Sequence, residues 1–227
     1  MIIGKGLIAS LFTDVDQEDI VFFASGVSNS SETNPAEFYR EEKLVRETLS
    51  QYSEALFVYF STCSIYDSSK SNSPYVLHKL HMEDIIHTTA KKYLILRVSN
   101  AVGKGGNPNL LMNYLVRSLK ANQQISIHTE ATRNLIDVED IKNLTLQLIV
   151  EKNYNRIINI AYPENYSIPE LVHIIEKYFN KKTEHIYLNT GSGYEISIPE
   201  TKKYFTNKNL IHKESYLCNI LNKYFSF

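Results

Sequence analysis

The residues best suited to chemistry are Tyr75 and Lys79, in the stretch SPYVLHKL at residues 73–80. On a helix, positions i and i+4 share a face. A lysine cation beside a phenol favours the phenolate, bringing ionisation down from the reference near ~10. A tyrosine tuned in this way can give a proton to a carbinol oxygen or take one from it. A second stretch, FSTCSIY at residues 60–66, sets hydroxyls at the end of an apolar run. Thr62 there can hold the same oxygen, leaving the proton to the tyrosine and the hydride to a nicotinamide. Each stretch alone also reads as plain structure: a capped helix turn, and a strand end whose hydroxyls bond local backbone. Together and in this order, behind a glycine-rich loop, they favour the catalytic reading.

That loop is Gly4-Lys5-Gly6-Leu7-Ile8-Ala9, which fits G-x-G-x-x-A. In dinucleotide folds such glycines let the backbone turn tightly against a pyrophosphate, and the following helix N-terminus offers free N–H donors. The acid that should hold the adenosine ribose about 20 residues further on is missing, because that position falls at Ala24-Ser25-Gly26. Little more than one short helix and TDVDQED separate the loop from the next strand.

Several elements must position these residues. Ile20–Ala24, Ala55–Ser61, Tyr93–Val98 and Arg156–Ile160 read as buried strands, and QISIH as a short one. Helices are predicted over Pro35–Tyr52, Pro74–Lys91, Asn109–Ala121, from Asp137 to about Glu151, and over Ser167–Phe179. Ser73 can cap the second of these, with Pro74 at its first position. The tail from about Thr183 holds two strand-like runs and a final helix near Glu214–Tyr224. Strands alternating with helices imply a doubly wound, mostly parallel α/β sheet of Rossmann type, shortened near its N-terminus, with a small C-terminal substrate lobe. One compact body is expected: a cofactor core over about 1–105 and 134–162, and a lobe over about 106–133 and 163–227.

The chain of 227 residues has a net charge of −1, which advertises neither nucleic acid nor an acidic membrane as partner. Two cysteines, Cys63 and Cys218, give no disulfide framework, so a cytoplasmic setting is expected. MIIGKGLIASLF has its one lysine inside the apolar run, lacks a small-residue cleavage site and runs into acidic residues, so no export signal is expected. No run approaches the ~18 apolar residues of a membrane span.

With these motifs in order, the sequence resembles the extended short-chain dehydrogenase/reductases, in the nucleotide-sugar epimerase/dehydratase/reductase superfamily. GKGLIA resembles the family's glycine loop, and VFFASGVSNS its strand beside the cofactor ribose. FSTCSIY resembles its Ser-Ser/Thr-x-x-Val-Tyr segment, and YVLHK its Tyr-x-x-x-Lys. LRVSNAVGKGG, RNLIDVEDI and IINIAYPENYSIPELVHII resemble three later segments, so the likeness spans nearly the whole chain.

The resemblance implies Tyr75 as acid/base, Lys79 tuning it and touching the nicotinamide ribose, and Thr62 on the reacting oxygen. It implies NAD or NADP held by Gly4, Lys5, Gly6, Leu7, Ile8, Ala24, Ser25, Gly26, Ser61, Tyr75 and Lys79. It puts Ser64, Asn100 and Arg133 on a nucleotide-sugar, Arg133 at the diphosphate, where a planar guanidinium suits. The other readings are a loop turn at Asn100 and an ion pair of Arg133 with Asp137 or Glu139. Glu42 falls near a position where many members carry an active-site asparagine. The 4,6-dehydratases carry Asp-Glu after the catalytic threonine; Cys63 and Ser64 stand there, which disfavours dehydration. Cys63 also sits one residue away from the cysteine of the GDP-fucose synthase type and reads as a small buried filler. What remains is reduction of a 4-keto sugar, with 4-epimerisation through a transient ketone as the alternative, in surface-polysaccharide synthesis. A non-catalytic dinucleotide-binding sensor or scaffold is the rival of another class. A homodimer through the two long helices is possible on the same analogy.

Overall fold

The computed structural model describes every residue from 1 to 226 except 16, 18 and 106–109. The chain divides into two compact units, residues 1–99 with 138–160, and residues 100–137 with 161–227. The first opens with β1 (Ile2–Ile3), β2 (Ile20–Phe23), α1 (Pro35–Gln51), β3 (Leu56–Thr62), α2 (Pro74–Thr89) and β4 (Lys92–Val98). The second begins with β5 (Asn100–Val102), α3 (Leu111–Lys120), β6 (Ile125–His128), β7 (Thr132–Arg133) and β8 (Leu135–Asp137). Then α4 (Val138–Val150) and β9 (Arg156–Ile160) return to the first. β10 (Tyr166–Ser167), α5 (Ile168–Phe179), β11 (His185–Leu188), α6 (Lys202–Asn207) and α7 (Lys213–Tyr224) complete the second.

In the first unit five parallel strands pair in the order β1-β2-β3-β4-β9. Every residue of β2 and β3 is buried, as a sheet covered on both faces requires. On one face α1 and α2 lay Val45, Leu49, Met82 and Ile86 over Phe23, Phe57 and Ile95. On the other, Phe12 stacks on Phe22 at 4.3 Å between ring centroids and leans on Phe60 at 5.6 Å. Side chains alternate along a strand, so Tyr59 and Ser61 follow Phe57 toward the helices. Thr62 follows Phe60 toward the opposite face.

The helix starts follow local chemistry. Asn34 accepts from the Ala36 N–H ahead of Pro35, and Ser73 accepts from the Val76 N–H ahead of Pro74. Ser167 and Glu170 form a reciprocal capping box at the start of α5. In the second unit, β5 pairs with β8, β6 with β11, and β7 with β10.

Three expectations need correction. The glycine loop leads into a four-residue 3-10 turn, Ala9–Phe12, not an α-helix; its last residue, Phe12, is buried against Phe22. The tail has one described strand, β11, and the helix α6 that periodicity did not reveal. The helix expected from Asn109 is described from Leu111 onward, and Asn109 itself lies outside the described residues. Among the described residues no helix is long and apolar enough to cross a membrane.

Candidate active site

The first unit brings Tyr75, Lys79 and Thr62 to the carboxyl end of its sheet, where open α/β sheets bind ligands. Tyr75 lies in the first turn of α2, 6% exposed, packed with Val27 and Val76 and flanked by Phe38 and Ile65. Thr62 ends β3 and caps the 3-10 turn Cys63–Tyr66, its Oγ1 accepting from the Ser64 N–H at 3.0 Å. That turn carries Ile65 onto the Tyr75 cluster. An accepting Thr62 oxygen keeps its own O–H free to donate. Ser64 contributes its backbone N–H to this cap.

Lys79 is 2% exposed, and its ammonium is already engaged. Nζ donates to Glu41 Oε1 at 2.9 Å and to the Tyr59 hydroxyl at 3.1 Å. Glu41 is fully buried and saturated. Its Oε1 also accepts from Tyr59 O–H at 2.6 Å, and its Oε2 from the Val27 N–H at 2.6 Å. His78 Nε2 lies 3.0 Å from the same Oε2. A carboxylate only accepts, so this histidine nitrogen carries the proton. Burial pushes the Glu41 carboxyl up, but the Lys79 charge and the bonds from His78, Tyr59 and Val27 outweigh it. They hold Glu41 well below the ordinary carboxylate range. Burial first, then the Glu41 charge, pushes Tyr59 well above the ordinary phenol range, so Tyr59 stays a protonated donor.

Sequence reasoning therefore missed Glu41, Tyr59 and His78; it noted Glu42 only as standing near the family's active-site asparagine position. Glu42 is a surface residue, paired with Arg46 at 2.9 Å. The signal was present: Glu41 lies three residues after Phe38 and four before Val45, on the apolar stripe of α1. A lone carboxylate on such a stripe asks for a buried partner.

The other expected residues fall as follows. Gly4 has φ +131°, and a Cβ there would stand 2.4 Å from the Ala24 carbonyl oxygen, so only glycine lets the two strand ends meet. At Gly6 no described atom lies within 4 Å of where a Cβ would be. Lys5 is exposed, and Leu7 and Ile8 are half-buried. The Ser25 carbonyl accepts from Arg40 at 3.2 Å. A Cβ at Gly26 would stand 2.5 Å from Lys79 Nζ, so the Gly26 backbone lies directly against the ion pair. Ser61 spends its hydroxyl on Glu83 at 2.6 Å, on the helix face of the sheet. Cys63 is fully buried, and burial pushes its thiol up to about 12, which fits a filler and not a nucleophile.

In the second unit, Asn100 Nδ2 donates to the Asn134 carbonyl at 2.7 Å. Arg133 Nη1 donates to the carbonyls of Thr132 at 2.7 Å and Ser192 at 3.1 Å.

Bare backbone at the ends of β1 and β2, beside a lysine ammonium, fits a ligand that lays a ribose and phosphates across the strand ends. The short turn after the loop does not present the N-terminus of an α-helix to those phosphates.

Comparison with known proteins bears on the family and the fold. Residues 3–161 match the NAD dependent epimerase/dehydratase family. No curated protein sequence matches. Among solved structures, UDP-glucose 4-epimerase from Thermotoga maritima with UDP-glucose is 17% identical, with a TM-score of 0.71 over 87% of this chain and 74% of that one. UDP-glucuronic acid 4-epimerase from Bacillus cereus, in complex with UDP-glucuronic acid and NAD, is 19% identical, with a TM-score of 0.66 over 89% and 72%. RMD from Pseudomonas aeruginosa, complexed with NADPH, is 17% identical, with a TM-score of 0.65 over 78% and 72%.

The chain belongs to the NAD dependent epimerase/dehydratase family. It is thus an enzyme of the NAD(P)-dependent, extended short-chain dehydrogenase/reductase type.

Proposed function

We propose that this protein catalyses NAD(P)-dependent reduction of a ring ketone on a nucleotide-activated sugar, a 4-keto sugar being the favoured substrate. The observation that carries the reading is Tyr75, buried in the first turn of α2 against the turn that Thr62 caps. Gly4, Lys5, Gly6, Leu7, Ile8, Ala24, Ser25 and Gly26 would hold the cofactor along the ends of β1 and β2, with Lys79 at its ribose. When bound there, the cofactor would supply the hydride for the carbonyl carbon. Tyr75 delivers the proton that turns the alkoxide into an alcohol. The Thr62 hydroxyl holds that oxygen during the transfer, and the apolar packing of Val27, Phe38 and Ile65 around Tyr75 keeps water away from the phenol. Ser64, Asn100 and Arg133 would contact the nucleotide-sugar, the guanidinium at its diphosphate.

4-Epimerisation uses the same proton and hydride in both directions, and the similarity to two 4-epimerases makes it the second reading. The test is binding of NADH and NADPH, followed by turnover of a nucleotide 4-keto-6-deoxy sugar and of UDP-glucose. Consumption of reduced cofactor with the keto sugar supports the reductase. Interconversion of UDP-glucose without net cofactor consumption supports the epimerase. Tyr75→Phe lowers either rate by about 10²–10⁴-fold. A protein that binds neither cofactor at millimolar concentration is a scaffold and not this enzyme.

A further inference from the structure

The Lys79 ammonium has three N–H donors. Two are spent, on Glu41 Oε1 and on the Tyr59 hydroxyl. Once two directions of a tetrahedral ammonium are fixed, the third is fixed as well. Glu41 also holds the Val27 N–H, and the Gly26 backbone lies against the pair. One carboxylate therefore joins α1, β3, α2 and the turn after β2.

We propose that Glu41 is the positioning residue of the Tyr75–Lys79 pair: it clamps Lys79, aims its one remaining N–H, and sets a neutral ion pair beside Tyr75 in place of a bare cation. This rests on the acid/base role assigned to Tyr75 above. Lys79 bonds Glu41 on α1 and Tyr59 on β3; His78 on α2 lies on the other oxygen of Glu41, and Tyr75 and Glu83 stand one turn either side of Lys79 on α2. Glu83, one turn further along, is held by Arg97 and Ser61. It is thereby compensated separately, and among the described residues Glu41 is the carboxylate paired with Lys79.

Two measurements decide the proposal. The first is denaturant unfolding of wild type, Glu41→Gln, Lys79→Met and the double variant. Lys79→Met strands a buried carboxylate, and the double variant does not, so the double variant should unfold at a higher denaturant concentration than Lys79→Met. Strictly additive losses would overturn the clamp. The second is the pH profile of NADH oxidation with a nucleotide 4-keto-6-deoxy sugar. In Glu41→Gln the bare cation favours the phenolate, which cannot donate, so the alkaline limb should move down by about 1–3 pH units. A purely structural role would lower the rate at every pH and leave the limb in place, and that result would overturn the positioning role. If wild type shows no turnover, the proposed function fails, and unfolding alone decides the clamp. If Glu41→Gln does not fold, recovery of folding in the double variant supports the clamp, and no recovery overturns it.

Discussion

Two carboxylate–cation pairs lie under the same helix, and they differ in one respect. Glu41 and Lys79 are sealed, with side-chain exposures of 0% and 3%. Glu83 and Arg97 lie nearer the edge, at 5% and 19%. Arg97 grips Glu83 with a bidentate fork, Nη2 to Oε2 at 2.5 Å and Nε to Oε1 at 2.9 Å, and Ser61 completes the carboxylate. Arg97 then reaches out through the Tyr66 hydroxyl to Asn159. The outer pair ties β4 to α2 and ends at solvent. The inner pair ends on the lysine that the resemblance places in the chemistry. A buried ion pair earns little net stability, because desolvation offsets its Coulomb gain, yet breaking it strands a charge. The inner pair is therefore read as a device for geometry.

The largest effect should separate the two pairs. Lys79→Met leaves Glu41 uncompensated in the core and should cost roughly 3–5 kcal/mol. Arg97→Met leaves Glu83 with the Ser61 hydrogen bond, nearer the edge of the core, and should cost about 1–3 kcal/mol. Equal losses in chemical denaturation would erase the distinction drawn here.

The second effect concerns acid. Glu41 is held well below the ordinary carboxylate range when folded. Its contribution is complete above the unfolded value near ~4.3. It is lost as the pH falls toward the folded value, at up to about 1.4 kcal/mol per pH unit. Between about pH 5 and pH 3, wild type should lose stability more steeply than Glu41→Gln. The surface carboxylates are common to both proteins, so they cancel in the difference. Parallel curves would show that Glu41 is not held as the structure describes.

The smallest effect falls one residue away. Glu42→Gln breaks a surface pair with Arg46 and should change stability by less than about 0.5 kcal/mol, with catalysis unchanged. A large loss there would mean that the support of Lys79 extends to the surface carboxylate beside Glu41.

Much of the fold was legible because its signals are local. The caps at Ser73 and Ser167 with their following prolines, and the apolar runs of β2, β3, β4 and β9, need only neighbouring residues to be read. The α6 helix escaped because six residues give too little periodicity to recognise. The turn after the glycine loop escaped because Phe12 stacks on Phe22, a partner ten residues away on β2. Strand alternation sets Ser61 and Thr62 on opposite faces. Which face carries α1 and α2, and so which hydroxyl meets Glu83, was not known.

The sequence by itself determined the central strands and the long helices, the place of Tyr75 and Lys79 one turn apart, and the threonine that precedes them. Those depend on backbone geometry and on residues within a few positions of each other. Only the tertiary structure decided what Lys79 bonds to. Its partners, Glu41 and Tyr59, lie 38 and 20 residues away. Glu41 sits on the apolar stripe of α1 and Glu42 beside it does not, but only the packing of α1 against α2 decides which cation the buried carboxylate meets. A buried charge must find its opposite, and only the folded core determines which charges are buried.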